Sequence, residues 1–196
     1  GRGRRGVVAV GPGEVVWAGL GRGPEPGEQL RSWAGAGKPM PPVPYDRYED
    51  VFSGKASARE VHDRSREKFS GTVAAARIPI ERTSAPLLLL GADKDDVWGS
   101  GAMSRAIGRT RARAGKASQV RVLVYSNAGH DISGDGMTPW DRYGAGSFDR
   151  KAAASATADA WLQTTRFLAQ TLPKDPKPRR RTPPTGSARC RCAWGS

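Results

Sequence analysis

Two apolar runs that each break off into a polar loop constrain the fold of this chain more than any other feature. Residues 86–90 read PLLLL and continue into GADKDD, and residues 120–125 read VRVLVY and continue into SNAGHD. Between them, residues 100–114 place Ala, Met and Ile at the spacing of a helix face. A strand, a helix and a second strand in this order predict a βαβ unit, and therefore an α/β fold with a parallel sheet.

A carboxylate and an imidazole follow the two predicted strands. The loop after the first strand offers Asp93, Asp95 and Asp96, and the second strand runs into a Gly-His-Asp turn that contains His130. Ligands of parallel sheets bind beyond the carboxyl ends of the strands, so we expect these side chains to lie close together. An acid about 35 residues before a histidine has the chain order of the α/β-hydrolase triad.

The rest of the chain is organised around this unit. Residues 7–10 (VVAV) predict a third buried strand, and residues 17–80 predict an excursion between two core strands. The excursion is dense in Gly and Pro over residues 21–44, where we expect no regular element. Helices are predicted over 56–69, with His62 on a solvated polar side, and over 150–172, with Asp149 as N-cap.

These elements make residues 6–172 one predicted domain. Residues 173–196 carry seven Arg or Lys and one Asp among prolines, and this composition predicts a disordered basic tail.

The net charge of +13 lies largely at the two ends of the chain. An arginine-rich tail without interleaved aromatic residues gives only salt-sensitive, non-specific affinity, so no specific nucleic-acid partner is expected. Four further arginines, on the helix predicted over 100–114, are interpreted as a solvated outer face; they are Arg105, Arg109, Arg111 and Arg113.

The sequence predicts neither a membrane segment nor a metal site. It has no run of 18 apolar residues and no signal peptide at its start, so we expect a cytoplasmic protein without membrane contact. Both cysteines, Cys190 and Cys192, lie in the tail, and a zinc site needs about four ligands at wider spacing. No metal and no cofactor are therefore expected.

Five blocks in order resemble a known family. They are VVAVGPGEVVWAGL, GKPMPPVPY, IPIE, LLLLGADKDDVWGS and YSNAGH, and the resemblance extends over residues 6–172. The chain resembles the C-terminal catalytic domain shared by acyl-CoA thioesterases and bile-acid-CoA:amino-acid N-acyltransferases, a branch of the α/β-hydrolases related to dienelactone hydrolases. The resemblance implies the C-terminal half of an α/β-hydrolase fold, a parallel sheet with flanking helices.

The resemblance also implies roles for two residues. The family's acid sits three positions before a tryptophan, which corresponds to Asp95 before Trp98, and its base corresponds to His130. Asp93 is the reserve candidate for the acid. Family members have a Gly-x-Ser-x-Gly elbow, or a cysteine variant, shortly before the strand at 7–10, and Gly-x-Ser-x-Gly occurs nowhere in this sequence.

We therefore expect an N-terminally truncated piece that holds the acid and the base of a triad and is inactive alone. In the intact protein, the implied substrate is an acyl-CoA or another acyl ester, with water or an amine as acceptor. Two alternatives stay open. The first is a non-catalytic remnant or interaction module with basic ends, and the second is a hydrolase of the dienelactone hydrolase or serine peptidase type.

Overall fold

A computed structural model of the chain describes residues 5–20, 33–35, 37–130, 132 and 150–172. Its centre is a parallel three-stranded sheet in the order β1 (Val7–Val10), β4 (Leu87–Ala92), β5 (Val120–Tyr125). Val7 pairs with Leu87, and Leu87 in turn pairs with Val120, so the three carboxyl ends meet at one edge. The predicted parallel sheet and its three strands are confirmed. The expected burial of β1 is wrong, because Val7 and Val10 are exposed at the edge of the described sheet.

The central strand explains why its sequence is a continuous apolar run. All six residues of β4 are buried, because helices cover both faces of the sheet. Leu88 and Leu90 pack against helix α5 (Arg150–Thr171), whereas Leu87 and Leu89 face helix α4 (Ser100–Arg113). Each fully buried leucine contributes about 2 kcal/mol of apolar burial, so β4 anchors both layers.

Helix α4 confirms the predicted βαβ unit, and Gly115 follows it with a φ of 70°. One part of the prediction for this helix is wrong. Arg111 is fully buried, whereas Arg105, Arg109 and Arg113 are exposed as predicted. The guanidinium of Arg111 donates to the backbone carbonyl oxygens of Ile80, Thr83 and Ala85, in the 3₁₀ turn Ile80–Arg82 and the residues that lead from it to β4.

The described part of the excursion contains three α-helices: α1 (Glu49–Phe52), α2 (Ala58–Lys68) and α3 (Ser70–Ala76). Helix α2 begins with a capping box, in which Ser57 and Glu60 exchange hydrogen bonds between side chain and backbone. The excursion is fastened to the chain after β1, since Val15 bridges to Arg77, and inside the excursion Trp17 bridges to the fully buried Val43.

One short antiparallel pair corrects the expectation of no regular element between residues 21 and 44. Strand β2 (Ala34–Gly35) pairs with β3 (Lys38–Pro39), and Gly37 in the turn has a φ of 76°. The flexible backbone of glycine permits that turn, which allows two residues to pair on each side. Residues 21–32 lie outside the described part of the chain.

Helix α5 covers the sheet with small side chains, and Ala153, Ala156 and Ala160 are all buried. Helix α5 is also connected to β5, because the Tyr125 hydroxyl on β5 donates a hydrogen bond to Asp159 on α5 at 2.9 Å. The proposed N-cap Asp149 and the predicted tail over 173–196 lie outside the described residues. Within the described ranges, no helix combines the length and apolarity needed to cross a bilayer.

Candidate active site

The acid and the base predicted from sequence meet at the carboxyl edge of the sheet. The Nδ1 atom of His130 lies 3.0 Å from each carboxylate oxygen of Asp95, although 35 residues separate the two in the chain. The Asp95 side chain is fully buried, while the His130 side chain is 31% exposed. A carboxylate can only accept, so Nδ1 carries the proton and Nε2, on the far side of the ring, is the acceptor of the neutral imidazole.

The loop that follows β4 is folded around the Asp95 carboxylate. One carboxylate oxygen accepts backbone N–H groups from both Val97 and Trp98, each at 3.0 Å. Such a turn, in which an aspartate accepts from residues two and three positions on, lets the chain leave the strand and enter helix α4. The side chain of Asp95, the first residue of the sequence D-D-V-W, therefore closes this loop with hydrogen bonds that also hold its own carboxylate in place.

The charge state of Asp95 reflects two opposing influences. Burial of the carboxyl acts to raise its pKa, but hydrogen bonds from His130, Ser100 and the Trp98 backbone together leave the pKa below its ordinary value. Asp95 is thus an anion near neutral pH. A buried anion facing Nδ1–H stabilises an imidazolium if His130 takes up a proton at Nε2.

The reserve candidate Asp93 is engaged elsewhere. Arg105 on α4 donates two hydrogen bonds to its carboxylate, at 2.7 and 2.9 Å. The hydrogen bond from Arg105 lowers the pKa of Asp93, and the pair is largely exposed. The geometry therefore pairs His130 with Asp95 and leaves Asp93 in an exposed ion pair with Arg105.

A third strand end reaches the site through Gly11, directly after β1. Gly11 has a φ of 55°, and a Cβ atom on it would lie 3.4 Å from Cε1 of His130. A side chain there would be strained by the left-handed backbone, and its Cβ atom would contact the imidazole. The carbonyl oxygen of Gly11 accepts a hydrogen bond from Nε1 of Trp98 at 2.9 Å. This bond connects the end of β1 to the loop that follows β4 and carries Asp95, called the acid loop below.

The second histidine of the chain also lies near this site, and its predicted solvated position is wrong. His62 is 2% exposed, in a cluster of aromatic rings formed by Trp17, Tyr45, Tyr48 and Trp98. Val61, His62 and Ser65 are all buried on helix α2. The buried face of this helix is therefore wider than the sequence spacing indicates. The aromatic residues of the excursion were the available signal for this cluster.

His62 is held as a neutral ring. Its Nδ1 lies 2.8 Å from the carbonyl oxygen of Ala58, which can only accept, so Nδ1 bears the proton. Burial lowers the pKa of His62, and this outweighs the opposing effects of the Ala58 carbonyl and the Asp63 and Asp95 charges, while the charge of His130 lowers it further.

We predict that His62 makes the folded chain less stable in weak acid. The folded pKa is lowered, so the unfolded chain binds the proton more readily, and the free energy of unfolding should decline as pH falls below about 6.5. In His62→Phe the decline between about pH 6.5 and 5 should be smaller than in the wild type. Urea unfolding at several pH values measures this, and equal declines in both proteins would contradict it.

Among the residues that the structure describes, no group of three or more His, Cys, Asp or Glu side chains is arranged to hold a metal ion. The contact between Asp95 and His130 suits proton transfer by an imidazole that a buried carboxylate orients. Such a pair removes the proton from a serine or cysteine nucleophile in acyl transfer.

Comparison with known proteins places this chain in a family. Residues 33–174 match the family described as BAAT / Acyl-CoA thioester hydrolase C terminal. The chain belongs to this family. The matched range includes both Asp95 and His130, and it covers the excursion from β2 onward, β4, β5 and α5.

At the level of the family, the BAAT / acyl-CoA thioester hydrolase C-terminal domain is an α/β-hydrolase-like unit of acyl-CoA thioesterases and acyltransferases. The parallel sheet flanked by helices agrees with this membership. None of the curated proteins compared with the chain is similar enough to match it.

Proposed function

We propose that this chain supplies the acid and the base of an acyl-CoA thioester hydrolase, or of an acyl-CoA:amino acid N-acyltransferase. His130 takes the proton of a serine or cysteine that attacks the thioester carbonyl, and Asp95 orients and stabilises His130 as it charges. The acyl group then passes to water or to an amine. The observation that carries the proposal is the contact of Nδ1 with both Asp95 oxygens at 3.0 Å.

The position of the open sheet edge supports a nucleophile supplied from outside residues 1–196. Strand β1 lies at one end of the described sheet, and Val7 and Val10 on it are 46% and 39% exposed. A strand added in parallel beyond β1 has its carboxyl end beside Gly11, and therefore beside His130. A nucleophile at the end of that strand would lie on the Gly11 side of the imidazole.

An apolar cavity of about 170 Å³ fits the same arrangement. It lies over the face of the sheet that α4 covers, between Ala9, Leu89 and Ile107. Crossover connections between parallel strands are right-handed, so a helix leading from an added strand into β1 would lie on the same face as α4. The cavity lies where that helix would pack.

Two other functions have support. The basic ends support a non-catalytic remnant or interaction module, which would bind an acidic partner weakly. A hydrolase of the dienelactone or peptidase type would use the same acid and base on a different ester or amide.

The coding sequence before Gly1 separates these functions. An in-frame Gly-x-Ser-x-Gly shortly upstream supports the enzyme, and a stop codon before any such elbow supports the remnant. The protein expressed from that longer reading frame, called the extended chain below, should release thiol from acyl-CoA faster than it cleaves lactones or aminoacyl esters. Faster turnover of a lactone or aminoacyl ester would replace the thioesterase proposal by the second hydrolase type.

A further inference from the structure

The contacts of Trp98 go beyond those of a core residue. The indole ring lies against the imidazole of His130, with ring centroids 4.5 Å apart and planes at 78°, which is an edge-to-face arrangement. Its Nε1 donates to the Gly11 carbonyl, and its backbone N–H donates to Asp95. One residue therefore touches the base, the acid and the end of β1.

Trp98 is itself held from the side of the excursion. The ring of His62 lies 5.6 Å from the ring of Trp98, centroid to centroid, and His62 is buried on helix α2. The first turn of α2 also grips the acid loop, because Arg59 donates its backbone N–H to the Asp96 carbonyl and its guanidinium to the Asp95 carbonyl, at 3.0 and 3.1 Å. Helix α2 therefore contacts the acid loop and the tryptophan together.

We propose that Trp98 is a positioning residue that holds the imidazole of His130 against Asp95, and that helix α2 of the excursion braces it through His62 and Arg59. The proposal rests on the function proposed above, since the orientation of His130 serves catalysis only if His130 is the base. It assigns the excursion a role in the geometry of the site.

The physical reason lies in the freedom of the His130 side chain. The imidazole is partly exposed, and it follows a strand end in an irregular turn, so backbone structure alone does not fix its ring. The edge-to-face contact with the indole of Trp98 restricts the imidazole to a narrower range of rotation. Within that range Nδ1–H points at Asp95, and Nε2 points away from it.

The test reads the Nδ1 proton of His130 by NMR on the full 196-residue chain labelled with ¹⁵N. The sequence has two histidines, so the His62→Phe variant assigns both imidazole signals. In the wild type we expect His130 in the Nδ1–H form, with slow exchange of that proton with water. This readout requires no nucleophile, so its failure is distinguishable from failure of the thioesterase proposal.

Trp98→Phe keeps an aromatic ring but removes the hydrogen bond to Gly11. We expect the His130 Nδ1 proton to exchange about fivefold faster, the change expected from losing one net hydrogen bond. Trp98→Leu removes the ring as well, and the Nδ1–H signal should be lost. The matched control is Trp161→Leu, because Trp161 lies 49% exposed on α5 and should leave the exchange unchanged.

Wild-type exchange in folded Trp98→Phe and Trp98→Leu would overturn the proposal. If the backbone spectrum shows Trp98→Leu unfolded, Trp98→Phe decides alone, and unchanged exchange in it overturns the proposal. Arg59→Met tests the brace from α2. It should accelerate exchange without unfolding the chain, and wild-type exchange in this variant would remove the Arg59 guanidinium from the account.

Discussion

Replacing Asp95 by asparagine should lower kcat of the extended chain about 10⁴-fold while leaving its fold intact. Asparagine retains a carbonyl oxygen that can accept from the Val97 and Trp98 N–H groups, so the acid loop can still close. Its amide nitrogen would then face His130 as a donor, which requires Nδ1 to accept and moves the imidazole proton to Nε2. A base protonated at Nε2 cannot take a proton from a nucleophile.

Thiol release from acyl-CoA measures this effect, and circular dichroism checks the fold. The matched control is Asp93→Asn, two residues away, which removes an exposed ion pair with Arg105 and should change kcat by less than about tenfold. A larger loss in Asp93→Asn than in Asp95→Asn would assign the acid to Asp93 and contradict the geometry. Equal, small losses in both would remove the carboxylate from the mechanism.

The second large effect is on stability. Arg111→Met should lower the free energy of unfolding by about 3 kcal/mol, because a buried guanidinium that donates to several carbonyl oxygens is replaced by a side chain without donors. The carbonyl oxygens of Ile80, Thr83 and Ala85 lose this partner. Lys116 continues to donate to Thr83, which keeps the loss below the sum of the separate hydrogen bonds.

Urea unfolding measures the change, which corresponds to a fall in Tm of about 10 °C for a chain of this size. The control is Arg109→Met on the exposed side of the same helix, where we expect less than about 0.5 kcal/mol. Losses of the same size in the two variants would show that the buried hydrogen bonds of Arg111 contribute little.

The parallel sheet, and the meeting of its strand ends at one edge, were predictable because they depend on continuous apolar runs. Leu87–Ala92 is buried on both faces, and such a strand has few other places to lie in a chain of this length. The acid was harder to predict, since three aspartates share one loop. Family resemblance favoured Asp95, and in the structure His130 contacts Asp95, whereas Arg105 pairs with Asp93.

Burial of polar side chains was not predictable from local spacing. Arg111 is buried because the distant segment 80–85 presents carbonyl oxygens to it, and His62 is buried because aromatic rings from three parts of the chain meet there. The groups that surround Arg111 and His62 lie far from them in sequence. The charge of Arg111 and the helical pattern around His62 therefore did not indicate that these side chains are buried. Trp98 could be predicted as a marker of the acid, but its contact with His130 required the fold.

Thiol release from acyl-CoA, measured for the 196-residue chain and the extended chain, each with and without His130→Ala, tests the central claim most directly. We predict that the extended chain releases thiol and that the 196-residue chain does not. Thiol release by the extended chain should be lost in His130→Ala. Release by the 196-residue chain that disappears in His130→Ala would contradict the account. The nucleophile would then lie within residues 1–196, where exposed Ser126 would be tested before the fully buried Ser100.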